Sequence, residues 1–80
     1  MRKINYPITL HPTREGRYVV DIPDWNIATQ GTSMEEAKAM AKDAIELMAE
    51  DMPEQEIPAP HSVPAAIEYG DIATMVEVEI

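Results

Sequence analysis

The chain of 80 residues contains no cysteine and no phenylalanine, and only six of its residues are basic. Without cysteine it can form neither a disulfide nor a thiolate zinc site, which fits a reducing cytoplasm. No stretch approaches the ~20 consecutive apolar residues that span a bilayer. Arg2 and Lys3 near the N-terminus are not followed by the apolar run of a signal peptide. We therefore expect a cytoplasmic protein without a membrane partner, folded as one domain over residues 1–80.

Acidic residues dominate the charge, since fifteen of them against six basic ones give a formal net charge of −9. Affinity for nucleic acid rests largely on Lys and Arg side chains that neutralise phosphates, so we expect no direct nucleic-acid binding by this chain. An acidic surface suits a basic protein partner, because complementary potentials speed encounter. Solubility alone is the competing explanation of the acidity.

Alternating apolar residues predict strands over residues 4–10, 18–22 and 74–80, with a short strand over 27–30. Residues 11–17 contain Pro12 and Gly16 and are predicted to form the turn between the first two strands. Pro7 has no backbone N–H, so it marks a sheet edge or a gap in the hydrogen-bond ladder. Four prolines between residues 53 and 64 exclude a regular helix or a central strand there and favour an extended crossover. Residues 65–69 give no clear prediction.

A helix is predicted after Gly31, because Ser33 and Glu36 have the spacing of a capping box, with Thr32 and Glu35 as the competing pair. It should end near residue 51 or 52, ahead of Pro53. At 100° per residue its apolar side comprises Ala37, Met40, Ala41, Ala44, Ile45, Leu47 and Met48, and its polar side comprises Glu35, Lys38, Lys42, Asp43, Glu46 and Glu50. We expect the methionines to pack in the core, with an adaptable binding surface as the alternative.

The predicted order is strand, strand, strand, helix, strand. This order favours an α+β fold, in which an antiparallel-rich sheet packs one face against a single helix.

A set of short motifs accompanies this order: Tyr6-Pro7, Gly16 and Tyr18, Pro23-Asp24, Thr29-Gln30-Gly31, Glu35-Glu36-Ala37, Asp43-Ala44-Ile45 and Ile57-Pro58-Ala59-Pro60. In this order and spacing they resemble the N-terminal domain of the HicB antitoxins of HicAB toxin–antitoxin systems, over residues 4–80. The resemblance implies a partial ribonuclease-H-like fold. It also implies a basic HicA-like toxin as partner, an mRNA interferase that is neutralised when its RNA-binding face and catalytic histidine are covered.

Two departures from the family pattern stand out. Residues 25–28 replace a longer loop that in the family contains Pro-Gly-Cys, which leaves the conformation of this loop open. Many members continue into a C-terminal DNA-binding domain, and we expect none within residues 1–80.

The motifs do not say which residues touch a toxin, so the candidates follow from position and chemistry alone. The toxin-interface candidates are Asp21, Asp24, Trp25, Glu35, Asp43, Glu46 and Glu50. For each acid taken singly, a solvated surface charge is the better explanation. Trp25 is the strongest candidate, because buried aromatic residues carry much interface energy, but covering the edge of the core is an equally good role for it.

Two alternatives remain open. The first is an orphan homo-oligomeric regulatory or interaction domain with an unknown protein partner. We expect a homodimer, formed through a strand edge or a sheet face, and this assembly is also compatible with toxin binding. The second, remote, is a metal-dependent nuclease, which would require carboxylates such as Asp21, Asp24, Asp43 and Glu46 to converge on metals ~4 Å apart. Asp43 and Glu46 are predicted on the outer helix face, away from the sheet.

The two histidines, His11 and His61, lie in predicted loops beside prolines and are interpreted as ordinary polar surface residues. We therefore expect no enzymatic activity, no catalytic or metal-binding residue and no cofactor.

Overall fold

The computed structural model describes residues 2–60 and 70–80, so that His61 and the segment 65–69 lie outside the described residues. The elements are β1 (Lys3–Pro12), β2 (Tyr18–Ile22), β3 (Ile27–Gly31), α1 (Met34–Ala49) and β4 (Ile72–Glu79). Single 3₁₀ turns occupy Pro23–Trp25 and Glu54–Glu56. The predicted β-β-β-α-β order and α+β class are confirmed. Several boundaries differ from the prediction. β1 runs on through His11 and Pro12, and β4 begins two residues before Thr74. The helix ends at Ala49, short of the predicted residue 51 or 52.

The four strands form one antiparallel sheet in the order β3-β2-β1-β4. β1 pairs with β4 from Lys3 opposite Glu79 to Leu10 opposite Ile72. Its pairing with β2 is shorter and begins only at Thr9, opposite Asp21. β1 and β2 are thus the inner strands, while β3 and β4 form the two edges.

Pro7 lies where β1 has no partner on the β2 side. Arg2 and Ile80 exchange two backbone hydrogen bonds, of 2.8 and 2.9 Å. Because hydrogen-bonded pairs alternate along an antiparallel ladder, the backbone nitrogen of Pro7 points away from β4. On that side, pairing with β2 has not yet started. The predicted gap in the ladder at Pro7 is therefore confirmed.

The core lies between α1 and one face of the sheet. The strands contribute Tyr6, Ile8, Leu10, Val20, Ile22, Val76 and Val78, and α1 contributes Ala37, Ala41, Ile45 and Ala49. The small side chains of α1 bring the helix close to the sheet. At the end of β3, a Cβ built on Gly31 would lie 2.5 Å from the backbone nitrogen of Ala37.

Only part of the apolar side of α1 is covered by the sheet. Its buried residues recur every four positions, whereas Met40, Leu47 and Met48 are 41%, 68% and 40% exposed. The expectation that these methionines pack in the core is wrong. The sheet buries only those helix residues that face it directly. The apolar side predicted from the sequence is wider than the part of the helix that the sheet covers.

Candidate protein-binding surface

The predicted acidic residues of α1 share one flank of the helix. Glu35, Asp43 and Glu50 are exposed and Glu46 is half-buried. At 100° per residue these four positions fall within an arc of roughly 80°. The last turn of α1 contains no basic residue, and Lys42 on the same flank forms an ion pair of 3.4 Å with Glu46. We call these four carboxylates the acidic flank.

Glu46 departs from its predicted place on the outer helix face. Its carboxylate accepts a hydrogen bond of 3.0 Å from the backbone N–H of Glu79, near the end of β4. The hydrogen bond from Glu79, with a further contribution from Lys42, lowers the pKa of Glu46. The prediction that Glu46 points away from the sheet is wrong, because the helix crosses the sheet edge at this position. Asp43 is exposed, as predicted.

The acidic flank leads into a groove of about 450 Å³. The groove lies between the C-terminal end of α1, the second 3₁₀ turn and the adjoining ends of β1 and β4. Its apolar lining is Ala49, Met52, Ile57 and Ile80, and its charged lining is Arg2, Glu46, Glu50, Glu54 and Glu79. Arg2 forms an exposed ion pair of 3.5 Å with Glu54. Sequence reasoning missed Arg2, Glu54 and Glu79, because no local pattern reveals contacts between such distant positions.

Asp21 lies apart from the acidic flank, on the outer face of the sheet, where its strand neighbours Val20 and Ile22 point the other way into the core. There its Oδ2 is 2.5 Å from Nε2 of His11, whose Nδ1 is 2.8 Å from Oδ2 of Asp71. Burial alone would lower the pKa of His11, but the hydrogen bonds to Asp71 and Asp21 outweigh it and raise this pKa above its ordinary value. His11 is therefore more than an ordinary surface residue, since it ties β2 to the start of β4.

Asp24 and Trp25 lie in the first 3₁₀ turn. Asp24 is half-buried, whereas Trp25 is only 6% exposed and packs edge-on against Tyr6, with ring centroids 5.5 Å apart. Tyr6 in turn donates a hydrogen bond of 2.6 Å to the carbonyl of Pro58, and burial raises the pKa of Tyr6. Of the two roles left open for Trp25, the structure shows it covering the edge of the core. Contact with a partner stays a prediction.

The carboxylates considered for a nuclease are not brought together. Asp21 lies on the outer face of the sheet, whereas Asp43 and Glu46 lie on the helix that packs against the other face. Within residues 2–60 and 70–80, no group of three or more histidine or acidic side chains is placed to hold a metal ion. In the same ranges, no helix has the length and apolar character needed to cross a membrane.

Comparison with known proteins identifies the family of the chain. The model of a family described as the HicB-like antitoxins of bacterial toxin–antitoxin systems matches residues 6–80. The chain is also similar to Antitoxin HicB 1 of Photorhabdus laumondii, with 38% identity over 85 aligned positions. That alignment covers 100% of this chain and 52% of the relative, so the chain spans about half of the relative's length. No solved structure matches the chain. Because the family model covers nearly all of the sequence, the chain belongs to the HicB-like antitoxins of bacterial toxin–antitoxin systems.

Proposed function

We propose that this chain is the toxin-binding part of an antitoxin that neutralises a small basic HicA-type mRNA interferase. The chain would cover the RNA-binding face of the toxin and thereby keep RNA from its catalytic histidine. The observation that carries this proposal is the acidic flank of α1, which continues into the acid-lined groove at the end of the helix.

The physical basis is competition for the same positive charges. A ribonuclease that grips RNA does so largely through Lys and Arg side chains that neutralise phosphates. Carboxylates on a rigid helix can form ion pairs with those Lys and Arg side chains in place of the phosphates. Charge complementarity also speeds the encounter of the two proteins. Three of the four carboxylates of the acidic flank are exposed. Binding should therefore weaken as added salt screens the exposed charges.

The test is titration of a purified HicA-type toxin with the chain, measuring affinity and RNA cleavage over a series of salt concentrations. The double variant Asp43→Lys/Glu50→Lys reverses two exposed charges of the acidic flank. The matched control, Glu15→Lys/Glu77→Lys, makes the same change of net charge at exposed positions off the helix. We expect the first variant to lose roughly tenfold or more in affinity and the control to lose much less.

Two outcomes would contradict the proposal. If the wild-type chain neither binds the toxin nor slows RNA cleavage at low salt, the function is wrong. If both double variants lose affinity equally, net charge alone acts and the acidic flank is not the binding surface. Thermal unfolding of both variants checks that each remains folded.

A second proposal concerns assembly, and the observation that favours it is the free edge of β4. In the described part of the chain, no strand pairs with the outer side of β4. Arg2 and Ile80 form a hydrogen-bonded pair, and such pairs recur at every second residue along an antiparallel ladder. The N–H and C=O groups of Ala73, Met75 and Glu77 therefore point away from β1, toward this edge. We infer a homodimer in which two copies of β4 pair antiparallel about Met75. This register places Glu77 of one copy opposite Ala73 of the other.

Light scattering at micromolar concentration tests the dimer. Met75→Pro removes an N–H that points away from β1, so it should abolish the dimer and leave the sheet intact. Met75→Thr keeps this N–H and should remain dimeric. A monomeric wild-type chain, or a dimeric Met75→Pro variant, would contradict this assembly.

A further inference from the structure

An exposed apolar strip lies on α1 between the buried face and the acidic flank. We call it the Leu47 strip and define it as Met40, Ala44, Leu47 and Met48. Ala44 is half-buried, while Met40 and Met48 are 41% and 40% exposed. Leu47 is 68% exposed, the largest value among the exposed large apolar residues of the described chain. The exposed Leu47 side chain leaves apolar area in contact with water. Burying this area against another protein surface would stabilise the complex.

The acids that border the strip are set by helical spacing. Leu47 lies four residues after Asp43 and three residues before Glu50, and such pairs are neighbours on a helix surface. Both acids are exposed. The strip thus has carboxylates along its outward side and the buried face of α1 along its other side. In protein interfaces, an apolar centre that loses its water likewise adjoins polar residues at the rim.

We infer that the Leu47 strip is the apolar centre of the toxin interface. This inference rests on the proposed function and deepens it. Leu47 would insert into an apolar site on the basic face of the toxin, and Asp43 and Glu50 would pair with the Lys or Arg side chains around that site. The few residues at the centre of an interface usually carry most of its binding energy.

The charges favour a basic partner over a second copy of the chain. Two apposed strips would bring Asp43 and Glu50 of one copy against the acids of another, each chain having a net charge of −9. The last turn of α1 offers no basic residue to relieve this repulsion, and Lys42 is paired with Glu46. Like charges facing each other across an interface oppose association, whereas a basic partner converts the same acids into attractive contacts.

The experiment measures the affinity of the HicA-type toxin for Leu47→Ala at low and at high salt. We expect Leu47→Ala to weaken binding about tenfold or more. The factor should be the same at both salt concentrations, because the lost contact is apolar. Asp43→Asn/Glu50→Gln should lose less at high salt, because its lost contacts are ionic. The control is Val19→Ala, which removes an apolar side chain that is 37% exposed on the outer face of the sheet. It should bind like the wild type.

The outcomes separate this inference from the proposed function. If the wild-type chain binds the toxin and Leu47→Ala binds it equally well, the strip is not at the interface and the proposed function stands. If the wild-type chain does not bind the toxin, the proposed function fails and this inference fails with it. If Leu47→Ala dissociates a dimer and leaves toxin affinity unchanged, a second copy covers the strip and the inference is wrong.

Discussion

Gly31, the last residue of β3, lies in close contact with the backbone of α1 at Ala37. An added Cβ would lie 2.5 Å from the nitrogen and 2.7 Å from the Cα of Ala37, and both are backbone atoms that cannot swing away. We expect Gly31→Ala to lower the free energy of unfolding by about 1–3 kcal/mol, since helix or strand must shift to relieve the overlap. Urea denaturation measures the loss. Gln30→Ala, at the exposed neighbouring position, should change stability by less than about 0.5 kcal/mol.

His11 gives stability a pH dependence of defined sign. Its pKa in the folded chain is raised above the ordinary value by hydrogen bonds to Asp71 and Asp21 that outweigh the effect of burial. The protonated form is therefore favoured by folding. Its contribution is fully present below the pKa of the unfolded chain and is lost as pH rises through the folded pKa.

The measurement is the urea midpoint of the wild type and of His11→Gln across this pH window. The difference between the two should shrink as pH rises. His61 is present in both proteins, so it cancels from the comparison. A difference that is constant with pH, or that grows, would show that protonated His11 does not bind β2 to β4.

The N-terminus of α1 shows how a local element stabilises the larger fold. The Ser33 hydroxyl oxygen accepts a hydrogen bond of 3.1 Å from the N–H of Glu36, and the Glu36 carboxylate accepts one of 3.0 Å from the N–H of Thr32. Of the two pairs considered from the sequence, Ser33 and Glu36 form the cap. We expect Ser33→Ala to cost about 1 kcal/mol of stability, and Ser33→Asp to restore most of it. Equal stability of Ser33→Ala and the wild type in denaturation would contradict this.

The contact between α1 and β4 gives a prediction for the sheet edge. Glu46 accepts the backbone N–H of Glu79, which ladder alternation turns away from β1. Glu46→Ala should speed hydrogen exchange at Glu79 roughly tenfold, in line with the loss of a hydrogen bond to a charged acceptor. Asp43→Ala removes an exposed carboxylate of the same flank and should leave this exchange unchanged. Similar exchange in both variants would mean that Glu46 does not protect the edge.

The elements were predictable because their signals are local. Alternation at β1 and β4 and the spacing from Ser33 to Glu36 are fixed within a few residues. The exposure of Leu47 was not predictable, because it depends on how much of the helix the sheet covers. The groove was not predictable either, because it brings together Arg2, Glu50 and Glu79 from the two ends and the middle of the chain. Trp25 could be assigned to the core only once its contact with Tyr6 was known.

At the scale of the whole molecule, the excess of acidic residues should oppose folding. With a net charge of −9, the compact chain repels itself more than the expanded chain does. We expect the Tm to rise with added sodium chloride. In Asp43→Lys/Glu50→Lys each substitution replaces a negative charge with a positive one, so the net charge changes from −9 to −5 and the rise in Tm should be smaller. A Tm that falls with salt in the wild type would mean that attractive ion pairs outweigh this repulsion.

The burial of Trp25 against Tyr6 also gives the protein an internal fluorophore. Trp25 is the single tryptophan of the sequence, so emission excited at the red edge reports one site near the edge of the core. Unfolding should shift this emission to longer wavelengths as water reaches the indole ring. Docking of a tryptophan-free toxin on the Leu47 strip would leave the ring in its apolar surroundings and the emission unchanged. A spectral shift on toxin binding, in a chain that remains folded, would instead bring the partner to the first 3₁₀ turn and give Trp25 the interface role proposed for it.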